Sequence, residues 1–420
     1  MGALTKRLTP RSTSLRQRVR AVTGEPHHRL LQTRITVRPT LRTVSAPIFW
    51  LPDHQRHAFY TIAHADATID RMARILETYL QPPGPLDLRS RLTPTNEEVV
   101  LVGIAPLPEA VPRLFSDVLN QLRNVLEHTL SAEVRQWLPR DLTVDEARAL
   151  EVPATGSEAA FDAWIRHKHR KSHGLFVRGS DLGERLARLQ PWNRHDADMH
   201  PLRRLVAHTN AAKHQAPTVT TVRVGKVVRD SARRDDPSDA HDLGGVGSVI
   251  ASVPRGTVEG ISVWPQVAVR RPHTAELRTL MWEVREIEEW VRLTAVPILI
   301  TGRTDLPELR PHLDVNEGFE SATHAWSVAR EKSAAVRASE RLQAAVLRDD
   351  IAQMMVAEDG EASRDAYTQW LGAVEDARVV AMFEPLGLAA KRHDYQSIMA
   401  ITGQWRKEAR PSAQGHPRPV

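Results

Sequence analysis

The sequence predicts a mostly helical α+β protein, on three features of its 420 residues. Apolar residues recur at helical spacing through 53–80, 109–137 and 200–215. From 218 the pattern changes to β-branched runs, TVTTVRVGKVV, GSVIASV and TVEGISVWPQVAV, set apart by Gly, Pro and Asp clusters. Helical patterning then returns beyond 306. The expected divisions are a basic flexible arm (1–45), a helical core (46–217) with a β-hairpin insert and a β-rich extension (218–305). A C-terminal helical module (306–409) and a disordered tail (410–420) complete the chain.

Each element follows from local chemistry. Residues 1–45 hold Lys6 and nine arginines against the single acid Glu25, a balance of +9, so the rest of the chain carries −3. The basicity is concentrated in the arm, where it suits attraction to a polyanion such as RNA or DNA, with Arg16, Arg18 and Arg20 as candidate contacts, the alternative being a solvated tail whose arginines have no partner. Only eight of the 57 basic residues are lysine, a bias that fits high-GC coding and makes arginine counts overstate selection. The first helix, 53–80, stops at QPPGP. Residues 86–104 read as a hairpin turning near Pro94-Thr95-Asn96. Helices are expected at 109–137 and 200–215, with shorter helices and loops over 140–190. After an exposed loop at 229–245, residues 275–293 read as a helix and AVPILI (295–300) as a buried strand. The stretch 320–409 reads as three helices broken by AEDGEA and by EPLG. Trp326, Trp370, Trp405, Met354, Met355 and Met382 are expected to be core or a protein-contact face.

Several function classes drop out. The chain has no cysteine, which excludes disulfides, thiolate metal sites and cysteine nucleophiles, and fits a reducing cytoplasm. No apolar run approaches the ~20 residues of a membrane span, and the basic N-terminus lacks the apolar stretch of a secretory signal. GGVGS at 244–248 lacks the phosphate-loop order, and neither G-x-S-x-G nor H-E-x-x-H occurs. No metal and no cofactor is expected.

The strongest chemical candidate is the helix LFSDVLNQLRNVLEHTL (114–130). Phe115, Leu119, Leu122, Leu126 and Leu130 fall on one face, while Asn124 and His128, four apart, share the other. Arg123 sits roughly 140° and 7.5 Å from His128, at the border of the apolar stripe. If its long side chain swings round, one helix offers a guanidinium for phosphate oxygens, an imidazole for proton transfer and an amide to orient them. Alternatively Arg123 and Glu127 form an i,i+4 ion pair. With 49 arginines and 19 histidines, any one Arg–His spacing should occur about twice by chance, and Arg203/His208 repeats this one.

The LRNVLEHTL helix resembles that of a group of bacterial proteins with an LR-x-x-L-[DE]-H helix. In that group FDAW, LQP[YW] and N-x-x-KH segments follow, here Phe161–Trp164, Leu189–Trp192 and Asn210–His214. The match covers about residues 55–300. The Arg123-Asn124…His128 pattern is similar to the motif of the HEPN superfamily. That resemblance implies a helical HEPN-like core and a metal-independent endoribonuclease, acting as a toxin or phage-defence effector. Arg123, Asn124 and His128 would be its catalytic residues. It also implies a homodimer, whose second histidine would supply the acid to the first one's base. Asn210, Lys213 and His214 would then form a second wall of the cleft, with Lys213 on phosphate; alternatively this is a structural helix whose Asn and His hydrogen-bond locally. The alternative is a non-catalytic nucleic-acid-binding or scaffold protein of the same fold. An antitoxin or other protein partner would use the C-terminal helices. His169 and His173 have i,i+4 metal-ligand spacing but no third ligand, so a solvated basic segment is the expectation there.

Overall fold

The computed structural model describes residues 18–19, 49–81, 83–171, 173–214, 220–229, 245–257, 259–360, 364–392 and 394–413. The fold is mixed α+β and mostly helical. Most of the arm, including Arg16 and Arg20, lies outside the described residues, as do most of the 229–245 loop and residues 414–420. No helix among the described residues is long and apolar enough to cross a membrane.

The chain forms two compact units, each built from separated segments. The first comprises Met1–Val22, Thr78–Leu107 and Thr221–Val267. Strand β1 (Arg18–Val19) pairs in parallel with Ser262 and Val263. Strands β2 (Leu86–Leu92) and β3 (Asn96–Ile104) make the expected hairpin, and β5 (Val249–Pro254) pairs antiparallel with β3. Strand β4 (Thr220–Arg229) neighbours β6 (Ile261–Arg270). A Cβ at Gly225 would lie 2.7 Å from that of Gln266, so glycine is required where β4 meets β6.

The second unit holds the helices. A 3-10 turn (Asp53–Gln55) leads into α1 (Arg56–Leu80), whose residues up to Glu77 belong here. Helix α2 (Ala110–Trp137) buries Phe115, Leu119, Leu122, Leu126 and Leu130, the stripe read from the wheel. Short helices α3 (Val144–Ala149), α4 (Glu158–Ile165), α5 (Lys168–Lys171) and α6 (Asp181–Arg188) precede α7 (Pro201–His214). The end of β6 pairs with β7 (Leu277–Thr279), which opens α8 (Leu280–Trp290). A π turn, Val291–Ala295, continues α8 into α9 (Val296–Thr301). AVPILI is therefore helix, not strand, and the β-rich segment ends at 279. Short apolar runs carry no period, and Pro297 follows directly on the π turn without ending the helix. Gly302, at φ 72°, ends α9.

Beyond lie α10 (Ala322–Val328), α11 (Ala334–Asp359), α12 (Arg364–Ala373), α13 (Asp376–Lys391) and α14 (Tyr395–Ala413), more helices than the three expected. EPLG does not break a helix, because Pro385 lies inside α13, whose Val379 and Leu386 pack into a core with Met355, Trp370 and Trp405. Residues 410–413 close α14 instead of fraying.

Between α7 and α8 the polar groups are fully internal. Glu283, 0% exposed, accepts from Arg204 at 2.9 Å, from Arg271 at 2.7 Å and from His208 at 3.3 Å. The hydrogen bonds of His208 and Arg271, and the charges of Arg204 and Arg271, hold the Glu283 carboxyl far below the usual carboxylate range despite its burial. Helix α1 meets α11 by another ionic seam. Asp66 accepts the Ala334 N–H and, at 3.0 Å, Arg337, while Arg341 bonds Asp70 at 3.1 Å and Glu77 at 2.8 Å. Asp66 thus supplies the anion that the start of α11 favours.

Candidate functional site

Helix α2 presents Asn124 and His128 to solvent on the face opposite its leucines. Arg123 does not join them. Its side chain is 14% exposed, and its Nε donates to Glu127 Oε1 at 2.5 Å. Glu127 Oε2 in turn accepts the Val152 N–H at 3.0 Å. Burial pushes the Glu127 carboxyl up and the Arg123 charge opposes it. The guanidinium is a brace between α2 and the 152 segment, with Nη1 buried and without a hydrogen bond. The expected convergence of Arg123 on His128 is therefore replaced by the i,i+4 pair.

What faces His128 is another imidazole. His57, from the first turn of α1, sets its ring edge-on to His128 with centroids 6.1 Å apart. Burial, and then the neighbouring His128, lower the His57 pKa, against backbone hydrogen bonds at His54 and His128 that raise it. Its Nε2 is buried without a hydrogen bond. One turn earlier, His54 Nε2 donates to Glu133 Oε1 at 2.8 Å, an oxygen that also accepts from Gln55 at 2.8 Å. The Glu133 side chain is only 4% exposed, with Arg185 3.7 Å from its other oxygen. A buried carboxylate thus orients one imidazole beside a second, half-buried one and a third, exposed one. Imidazoles are the side chains suited to general acid–base work. The only sequence signal was His54 and His57 three apart at a helix start. Their partners, Glu133 and His128, lie more than 70 residues away. Among the described residues, no group of three or more His, Cys, Asp or Glu is placed to hold a metal ion.

The second expected wall is elsewhere. His208 of α7 packs edge-on against Phe115 near the start of α2, and α7 runs antiparallel to α8, pairing His208 with Glu283 and His200 with Trp290. Arg185 joins Glu133, near the end of α2, to the carbonyls of Leu299 and Ile300 at the end of α9. Asn210, Lys213 and His214 are exposed at the end of α7. The α2 residue that touches α7 at His208 is Phe115, roughly 20 Å along α2 from His128 at 1.5 Å per residue.

The remaining motif residues are structural. Phe161 is buried and stacks on Trp164, Asp162 accepts from Arg178 at 2.7 Å, and Gln190 accepts from the Thr155 N–H at 3.1 Å. His173 packs edge-on to Phe176, and the His169 side chain lies outside the described residues. His200 caps α7: its Nδ1 accepts the Leu202 N–H at 3.1 Å, and burial, then Arg194, push its pKa down to about 4. No protein-family model, curated protein or solved structure matches the chain.

Proposed function

We propose that this is a non-catalytic binding protein of the cytoplasm, in which a helical scaffold carries an arginine-rich segment, 1–45, that takes RNA. The observation behind this reading is the Arg123–Glu127–Val152 relay: the cation that phosphodiester chemistry on α2 would require is already spent on holding the fold. The ten cations of residues 1–45 supply the long-range attraction. A protein partner would suit the C-terminal helices, where Leu388, Tyr395 and Met399 are 49%, 72% and 51% exposed. The test is labelled single-stranded RNA titrated in EDTA over a range of salt. RNA binds intact, and replacing Arg16, Arg18 and Arg20 by Gln reduces the log–log salt slope by about 2, at ~0.7 per phosphate contact. RNA cut by the parent and spared by His128→Ala overturns this reading.

That outcome belongs to the second reading, a metal-independent HEPN-like endoribonuclease of the toxin or defence type, and the His57–His128 pair favours it. One imidazole would take the 2′-OH proton as that oxygen attacks phosphorus. The other would protonate the departing 5′-oxygen, leaving a 2′,3′-cyclic phosphate. Base and acid would then come from one chain, without the homodimer expected from the motif. Binding ranks first because Arg123, held by Glu127, is not free to stabilise the phosphorane.

A further inference from the structure

A cavity of about 670 Å³ opens beside the start of α11, away from the histidine cluster. Its walls include Arg310, His312, Arg330, Lys332, Arg337 and Glu375. Most of its charges are already committed. Glu331 is 3.3 Å from Arg310, Glu340 is 2.7 Å from Lys332, and Asp376 is 2.8 Å from Arg348. Arg337 and Arg341 are held from behind by Asp66, Asp70 and Glu77. Arg330 and His312 differ. Among the described residues neither side chain has a hydrogen bond or ion pair, although both line the opening.

Their placement is fixed by backbone. His312 and Arg330 form an antiparallel bridge, with His312 N donating to Arg330 O at 3.3 Å and Arg330 N to His312 O at 2.9 Å. Directly opposed residues put their side chains on the same face, close together. The same two residues border a second opening of about 260 Å³ with Leu313, Phe319 and Val328, and with Asp314 and Glu317 at its polar edge. The arrangement is a free guanidinium and a free imidazole on a rigid bridge, facing a charged cavity on one side and a partly apolar one on the other.

We infer that this bridge is the binding site for a small tetrahedral oxyanion, the phosphate group of a phosphorylated ligand, gripped by Arg330 with His312 beside it. A guanidinium fork matches two phosphate oxygens, and a ring N–H takes a third. The combined openings are of the size that small-molecule sites have. The smaller one accepts the uncharged part of the ligand. Glu375, which also lines the larger opening and is unpaired among the described residues, opposes the anion and limits affinity. The site is independent of RNA binding by residues 1–45.

His312 gives the site a pH signature. Burial, and then Arg337, lower its pKa; Arg330 acts in the same direction, while Asp66 and Asp70 oppose it. A bound dianion favours the imidazolium, so affinity rises as pH falls. Sulfate, which does not titrate in this range, separates that effect from phosphate's own ionisation.

The experiment is calorimetric titration of the full chain with inorganic phosphate at pH 7 and with sulfate from pH 8 to 5.5. Arg330→Gln weakens both anions at least about tenfold, the loss expected for one charge-assisted contact. Glu375→Gln tightens them, and His312→Gln removes the pH dependence while leaving binding at pH 8 in place. Neither Arg330 nor Glu375 braces another side chain, so these variants fold as the parent does, which circular dichroism checks. No binding at tens of millimolar, or an Arg330→Gln variant that binds as the parent does, overturns the assignment.

Discussion

At Glu283, one carboxylate, two guanidiniums and an imidazole are buried and bonded to one another, whereas the imidazoles of His54 and His128 are exposed and that of His57 is half-buried. Both clusters join residues far apart in the chain, and both include a buried glutamate. In the first, the opposing charges answer one another: Arg204 also reaches Glu286, and Arg271 reaches Glu276 at 2.9 Å. In the second, Glu133 is satisfied by His54 and Gln55, while His57 Nε2 has no hydrogen-bond partner among the described residues. The lesson is that charge composition does not separate a structural cluster from an available one. Exposure does, since unpartnered nitrogens occur in both, at His208 Nδ1 and Arg204 Nε as at His57 Nε2.

The sharpest way to break the comparison is Glu283→Gln. It leaves two buried guanidiniums short of an anion and should cost about 3–5 kcal/mol in urea unfolding. A loss below about 1 kcal/mol would mean that water or Glu276 and Glu286 already screen the pair, erasing the contrast with the exposed cluster.

Acid probes the same contrast. His200, with a folded pKa of about 4 against the ordinary 6.5, stays neutral in the native chain while the unfolded chain takes up a proton. Its contribution is therefore complete above pH 6.5 and is withdrawn as pH falls towards 4, by about 3 kcal/mol at 1.36 per unit. The lowered His208 adds loss in the same direction. Glu283, held below its ordinary 4.5, stabilises the fold above that pH and loses its contribution in stronger acid. Urea unfolding at stepped pH should show a smaller slope between 6.5 and 4 for His200→Asn, which keeps an acceptor for the Leu202 N–H. An unchanged slope would assign the acid sensitivity to other groups.

Glu127→Gln should cost about 1 kcal/mol, since the amide still accepts the Val152 N–H but loses the charge on Arg123. If Arg123 were instead a working residue, the variant would alter RNA binding or cleavage more than melting. Smallest is His128→Ala, an exposed change expected to move stability by less than about 0.5 kcal/mol. A larger loss would place His128 among the structural residues.

Particular residues show where sequence reasoning reached and where it stopped. The stripe of α2 and the hairpin at 86–104 were legible because period and turn chemistry are local. The exposure of Asn124 and His128 follows from the same wheel. The choice of Arg123 between Glu127 and His128 was open on spacing, and Val152, 25 residues on, decides it by holding Glu127. His54 and His57 gained their importance only when Gln55, 78 residues from Glu133, docked the start of α1 onto α2. AVPILI was unreadable because a short apolar run is compatible with strand or helix, and the π turn after α8 carried the chain on as helix.

By itself the sequence determined the helical stripes, the hairpin, the concentration of positive charge in residues 1–45 and the absence of cysteine chemistry, because each is a property of neighbours along the chain. Tertiary structure alone decided which cations are consumed, Arg123 by Glu127 and Arg204 and Arg271 by Glu283, and which, like Arg330, stay without an ion pair among the described residues. The physical reason is that pairing depends on which distant carboxylate folding brings within hydrogen-bond reach, and short-range periodicity does not encode it.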